Sequence, residues 1–495
     1  MSDTMEHLDV LVVGAGLSGV CAGHYLQTDC PWASYAIFEA RESIGGTWDL
    51  FRYPGVRSDS DMFTLGYPFR PWRSTQMIAD GGAILDYIKD TAAEERIDRH
   101  IRFNHRIVKA EWSTDEARWH VTAERTDTGQ TVGLTCGFLF SCGGYYRYDH
   151  GYLPDFEGME RFAGPIVHPQ SWPKDLDYAG KRVVVIGSGA TAVTLVPSMA
   201  QTAGHVTMLQ RSPTYVASVP ASNPLVGVLN RVLPQRAAAA AVRWVHALGT
   251  QAAFRVSQRH PAPVKRLLLA GVRRQLPPGY DIDTHFTPHY NPWDERMCAV
   301  PNGDLFKAIK NRSASVVTDH IDTFTERGLR LRSGAELDAD IIVTATGLEL
   351  QFVGGIDLSV DGEPVKLASR LTYKGMMLEG VPNLAIAIGY TNASWTLKCD
   401  LTCRYVCRLL NHNRETGRRQ CVPVNRDASV TAEPLLGLNS GYVQRAADRL
   451  PKQGSRFPWQ VYQSYLRDYR ATKLRSVEDD VMEFSDPAPA RAAAS

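Results

Sequence analysis

The apolar run Val10-Leu11-Val12-Val13 breaks into Gly14-Ala15-Gly16-Leu17-Ser18-Gly19 and then resumes as a helix-compatible stretch that ends near Gln27. A short apolar run suits a strand covered on both faces, so the pattern predicts a strand, a tight turn and a helix. Tyr35 to Glu39 reads as the next strand, Gly82 to Glu95 as a helix, and Arg102 to Val121 as further strands. Thr135 to Ser141 predicts a strand stopped by the turn Cys142-Gly143-Gly144. Pro154, Pro165, Pro169 and Pro173 then mark a linker rich in helix breakers. Beyond it the first alternation returns: Arg182-Val183-Val184-Val185-Ile186 leads into Gly187-Ser188-Gly189-Ala190-Thr191-Ala192, with His205 to Gln210 as the following strand. Asp340 to Thr344, followed by Ala345-Thr346-Gly347, and Asn383 to Gly389 read as later apolar strands.

Strands alternating with helices around two glycine turns predict an α/β fold of two Rossmann-like dinucleotide-binding domains. The expected division gives residues 1–150 and 346–495 to the first domain, 151–215 and 291–345 to the second, and 216–290 to a helical insertion. Gly14, Gly16 and Gly19 would let the backbone approach a pyrophosphate at the positive end of the helix. Glu39 stands where a ribose hydroxyl pair would be held, and its carboxylate would repel a 2′-phosphate, so this unit suits FAD or NAD better than NADP. In the second unit Gly187, Ser188, Gly189 and Thr191 form the turn. Arg211-Ser212 occupies the place of Glu39, and a guanidinium with a hydroxyl suits the 2′-phosphate of NADPH. An arginine that merely ends the sheet edge is the plainer alternative.

Whole-chain properties narrow the classes. At 495 residues and 44% hydrophobic content the chain should hold more than one buried core, and a formal net charge of +1 gives no general attraction for nucleic acid. The N-terminus runs straight into a strand and no apolar run is long enough to span a bilayer, which leads to the expectation of a cytoplasmic protein. The nine cysteines form no zinc pattern and no C-x-x-C pair, which disfavours a flavin disulfide reductase. Cys399, Cys403 and Cys407 recur on one helical face; they read as packing, and no metal is assigned. From Ala221 to Gln275 the insertion carries nine Lys or Arg and no Asp or Glu. Two readings stay open for it: a helical insertion whose basic face is solvated or packs in a homo-oligomer, and an amphipathic surface lying peripherally on anionic lipid.

An NADPH site facing an FAD site implies hydride delivery to flavin, with dioxygen as the expected electron acceptor. The string Phe162-Ala163-Gly164-Pro165-Ile166-Val167-His168-Pro169-Gln170-Ser171-Trp172-Pro173 resembles the F-x-G-x-x-x-H-x-x-x-W-P fingerprint of Baeyer–Villiger monooxygenases. Related flavin-containing monooxygenases acting on nitrogen and sulfur typically have Tyr or Phe where this chain has Trp172. Gly45-Gly46-Thr47-Trp48 through Tyr53-Pro54-Gly55 to Asp59 resembles a second signature of the same enzymes. Asn291-Pro292-Trp293-Asp294-Glu295-Arg296, Gly389 to Trp395 and Leu450 to Ser455 resemble the subgroup that includes the mycobacterial ethionamide-activating monooxygenase.

The resemblance implies FAD and NADPH as cofactors and insertion of one atom of dioxygen beside a ketone carbonyl through a C4a-peroxyflavin, with sulfur oxidation as an added activity. Such a peroxide must be the anion to attack a carbonyl, so a fixed cation should sit beside it. Arg296 matches the family's active-site arginine and keeps its charge at any working pH; an ion pair with Asp294 or Glu295 is its structural alternative. The family pattern implies that Asp59 orients that arginine, although an aspartate in Arg57-Ser58-Asp59-Ser60-Asp61 is as easily a turn or helix cap. Gly46, Thr47 and Trp48 are expected near the flavin, where Trp48 could equally be core. His168 reads as a hinge residue. Some relatives have a lysine where this chain has Glu295, which leaves the positioning of the nicotinamide open. Oxygenation mainly at nitrogen or sulfur, and a flavoprotein without oxygenase turnover, are the competing functions.

Overall fold

The computed structural model describes residues 5–486 apart from Arg296, Leu438 and Asn439. The first apolar run forms β1 (His7–Val13), which feeds α1 (Leu17–Asp29), and β2 (Tyr35–Phe38) lies parallel beside β1. Two one-turn helices, α2 (Thr47–Leu50) and α3 (Met62–Leu65), precede α4 (Gly81–Glu94). Strands β3 (Ile101–Arg102), β4 (His105–Ser113), β5 (Arg118–Arg125) and β6 (Thr131–Ser141) follow. Here β6 runs parallel to β1, while β5 joins β4 and β6 in an antiparallel meander.

A second parallel sheet holds the second glycine turn. It is built from β7 (Ile166–Val167), β8 (Arg182–Ile186) and, after α5 (Ala190–Met199), β9 (His205–Gln210). The chain then leaves the sheet. Val216–Val219 forms a strand, β10, at the start of the segment read as helical, because it pairs in parallel with β11 (Cys298–Pro301). Between these strands lie α6 (Pro224–Val232), α7 (Gln235–Arg259), α8 (Pro261–Gln275) and α9 (Ile282–Phe286). After α10 (Asp304–Lys310), β12 (Ala314–Thr318) returns to the edge of the second sheet, and an antiparallel trio, β13 (Ile321–Thr325), β14 (Gly328–Leu331) and β15 (Glu336–Asp338), leads into β16 (Ile341–Thr344). The order across this sheet is β12-β9-β8-β16-β7.

From β16 the chain recrosses to the first sheet, where β17 (Asp357–Val360) extends β4 and β18 (Glu363–Pro364) forms the edge. Leu384–Ile386 then pairs with β6. The long helix α11 (Trp395–Thr416) packs against α1 and turns Cys399, Cys403 and Cys407 into the core. Cys21 of α1 meets the first two there, with the three sulfurs within 4.8 Å of one another. Burial raises the pKa of the Cys21 and Cys403 thiols. No described helix is long and apolar enough to cross a membrane.

Candidate active site

The first glycine turn is held against the end of β6. Gly14 has φ +93°, and a Cβ there would stand 2.9 Å from the Gly143 Cα. A Cβ on Gly19 would stand 1.9 Å from the Gly14 carbonyl oxygen, so α1 starts in direct backbone contact with its own turn. Gly16 caps α1 without a side-chain hydrogen bond, which leaves first-turn N–H groups for an anion. Glu39, just past β2, is buried; its Oε2 accepts from the Ala15 N–H at 2.7 Å and its Oε1 from the Arg41 N–H at 3.0 Å. Burial pushes its carboxyl above the ordinary range, opposed by those N–H groups and the Arg41 guanidinium. The carboxylate therefore fixes the turn as well as facing the cavity, and it keeps acceptor capacity for a hydroxyl pair.

The Gly45-Gly46-Thr47-Trp48 segment approaches the same turn, with Gly46 beside Gly16. Buried Asp49 anchors it, accepting from Ser43 Oγ at 2.6 Å and pairing with Arg41 at 2.7 Å and Arg52 at 3.1 Å. Burial works to raise the Asp49 pKa, but the Ser43 hydroxyl and the two guanidiniums hold it below the ordinary range. In Arg57-Ser58-Asp59-Ser60-Asp61 the two aspartates occupy different places. Asp61 caps α3, accepting from the Thr64 N–H at 3.0 Å, while Asp59 lines the cavity on a turn in which the Ser58 hydroxyl accepts from the Ser60 N–H. Arg57 pairs with Asp304 of the second unit at 2.5 Å.

In the second turn a Cβ on Gly187 would stand 2.4 Å from the Ala345 carbonyl oxygen, and Ser188 Oγ donates to the Ser212 carbonyl at 3.2 Å. Gly189 begins α5 with no side-chain cap. Arg211 and Ser212, past the end of β9, are exposed. Glu295 is half-buried; burial raises its pKa and the charge of Arg211 opposes that rise. Trp293 packs edge-on against Phe254 of α7, with ring centroids 5.5 Å apart. Arg296 itself lies outside the described residues.

Two chain segments cross between the sheets. They are joined by the Arg147 N–H to the Glu349 carbonyl, the Gln351 N–H to the Tyr145 carbonyl and the Tyr152 N–H to the Gly347 carbonyl. His168 ties the proline linker to this crossing. Its Nδ1 accepts from the Gln170 N–H at 3.2 Å, which leaves Nε2 protonated to donate to the Gly347 carbonyl at 3.2 Å. Burial lowers the His168 pKa, so the neutral ring that this bonding pattern requires is favoured.

One cavity of about 860 Å³ runs along the first glycine turn and reaches the start of α5. Gly14, Gly16, Glu39, Gly46, Thr47, Trp48 and Asp59 line it, as does Thr191 at the start of α5. Gly187, Ser188, Gly189, Arg211 and Ser212 lie outside its lining. Sequence reasoning missed several wall residues. Trp395, at the start of α11, donates from Nε1 to Ser18 Oγ at 2.7 Å and stacks on Tyr145 with centroids 5.1 Å apart. Tyr53 is buried beside Thr191, and burial pushes its phenol up to about 12. The aromatic density of Tyr145-Tyr146-Arg147-Tyr148 after a glycine turn was the available signal.

Family comparison agrees with this geometry. Residues 12–76 match the NAD(P)-binding Rossmann-like domain, and residues 66–228 match the flavin-binding monooxygenase-like family. The chain is 55% identical to the FAD-containing monooxygenase EthA of Mycobacterium tuberculosis, over 98% of its own length and 99% of that protein's. It is 51% identical to the putative FAD-containing monooxygenase MymA of the same organism, over 99% of this chain and 100% of the other. Among solved structures, an oxidized steroid monooxygenase bound to NADP superposes with a TM-score of 0.77 at 22% identity, over 97% of this chain and 100% of that one. An open structure of cyclohexanone monooxygenase superposes with a TM-score of 0.70 at 20% identity, over 85% and 90% of the two chains.

Proposed function

The chain belongs to the family of FAD-containing monooxygenases, and on that premise we propose that it is an NADPH-dependent Baeyer–Villiger enzyme converting ketones to esters or lactones. One observation carries the reading: a single cavity is lined both by the first glycine turn and by the first turn of α5, so nucleotides held at the two turns would meet. The first turn fits FAD. Glycine at 14 and 19 lets strand, turn and helix close on one another where a Cβ would strike backbone, the uncapped first-turn N–H groups of α1 are left for a pyrophosphate, and Glu39 can accept from a ribose. Gly46, Thr47 and Trp48 would wall the flavin. The second turn fits NADPH: Gly187, Ser188, Gly189 and Thr191 would hold its pyrophosphate, with Arg211 and Ser212 on the 2′-phosphate. On this assignment residues 1–150 and 346–495 make the FAD domain, 151–215 and 291–345 the NADPH domain, and 216–290 the insertion.

When bound, the flavin supplies hydride acceptance and activation of dioxygen. The protein's part is to hold charge and exclude water. Asp59 faces the cavity, and we assign it to orient Arg296, whose fixed positive charge would favour an anionic oxidant and stabilise the oxyanion of the carbonyl adduct. Neutral His168, bridging linker and crossing segment, would let the NADPH unit move while keeping its connection to the FAD unit. Thioethers are the second substrate class proposed, and the ketone reading sets the test. FAD-loaded enzyme, NADPH and labelled dioxygen are incubated with a linear methyl ketone, a phenyl ketone or a thioether, and the products are weighed by mass spectrometry. Esters carrying one labelled atom support the proposal; sulfoxide as the sole product would replace it with a sulfur oxygenase.

A further inference from the structure

The insertion has two unlike faces. On the inner one, Val242, Arg243, Ala247 and Gln251 of α7 are buried. Arg243 Nη1 donates to the carbonyls of Phe63 at 3.3 Å, Thr64 at 3.0 Å and Gly66 at 2.6 Å, closing the C-terminal end of α3 beyond Asp59. The outer face repeats at helical spacing as Ala237, Ala241, Val245, Leu248, Ala252 and Val256, all exposed. Val245 is 69% and Val256 52% exposed, and Val232 and Leu267, in the flanking helices, reach 75% and 70%. Six of the nine large hydrophobic side chains left exposed among the described residues fall between Val232 and Leu267. Such a concentration calls for a covering surface.

The charge pattern selects the cover. Of the nine cations between Ala221 and Gln275, Arg243 is buried and Lys265 donates to the Pro288 carbonyl; the other seven are exposed, and the segment has no acidic residue. A second copy docked on this face through a two-fold axis would set those arginines against their own equivalents. Anionic lipid headgroups would neutralise them instead, and Val245, Leu248 and Val256 would enter the acyl boundary with the 25-residue α7 lying flat over about 38 Å of surface. We propose that the outer face of α7, with the flanking parts of α6 and α8, is a docking surface for an anionic lipid bilayer. This inference stands independently of the reaction assigned above.

The test uses FAD-loaded full-length enzyme sedimented with vesicles of phosphatidylcholine alone or of equal parts phosphatidylcholine and phosphatidylglycerol. Wild type should bind the mixed vesicles at least about tenfold more tightly and release them in high salt. Val245→Asp with Val256→Asp, both at solvent-facing positions, should lose that binding by about tenfold or more and retain vesicle-free NADPH oxidation. Met5→Asp, at an exposed site just ahead of β1 and outside the insertion, should bind like wild type. Equal binding to both vesicle types, or none to either, overturns the proposal. So does a wild-type enzyme that is dimeric by light scattering without lipid and becomes monomeric on Val245→Asp, which would assign the face to a second copy.

Discussion

Replacing Arg211 with Gln removes one positive charge from the end of β9 without touching the packed part of the second sheet, because the side chain is exposed. A hydrogen bond to a charged partner contributes about 1.5–3 kcal/mol, or roughly ten- to a hundredfold in affinity. Solvent screening at an exposed site moves the expectation to the lower end, about tenfold. Ser212 keeps its hydroxyl, so residual recognition should survive. NADH lacks the 2′-phosphate and should not register the change. In steady-state assays of ketone-dependent coenzyme oxidation, KM for NADPH should rise about tenfold with kcat nearly unchanged, while KM for NADH stays within about twofold. Equal weakening of both coenzymes, or an unchanged KM for NADPH, would refute the 2′-phosphate assignment and leave Arg211 as a sheet-edge residue.

Gly19→Ala should yield protein with little bound flavin, since its Cβ would stand 1.9 Å from the Gly14 carbonyl and force α1 off the turn; a fully yellow purified variant would contradict this. Arg296→Ala should cut ester formation by about a hundred- to a thousandfold while anaerobic flavin reduction by NADPH proceeds normally, as stopped-flow absorbance can check. Lys374 sits beside Asp479 at 3.1 Å, and burial lowers its pKa from 10.5 to about 8. Below pH 8 its amine is protonated in folded and unfolded chains alike. Between 8 and 10.5 the unfolded chain keeps a proton that the folded chain has released, so this group adds stability as pH rises, up to about 3 kcal/mol. Lys374→Met should flatten that part of the thermal-stability profile by scanning fluorimetry, and an unchanged slope would show that Lys374 does not titrate there.

Local pattern carried the glycine turns, the strands feeding them and the contrasting residues at their ends, because a β–turn–helix unit imposes its chemistry within some forty residues. Longer-range features were hidden. Helical periodicity put Cys399, Cys403 and Cys407 on one face, yet only the packing of α11 on α1 brings Cys21 to them. Val216–Val219 became a strand through a partner some eighty residues away, a pairing no local propensity reports. The two aspartates near Ser60 look alike in sequence, and which one caps α3 and which faces the cavity follows from where α3 begins. Trp395 and the Tyr145 region reach the site only because a crossing segment and α11 converge there.

If both nucleotides meet in one cavity, hydride should pass between them when the FAD-loaded enzyme is mixed anaerobically with NADPH deuterated at the transferred position. The flavin absorbance should bleach with no added electron carrier, and more slowly with deuterium than with hydrogen. Flavin that stays oxidised, or that bleaches only when a diffusible carrier is supplied, would contradict the shared cavity as the path of the hydride.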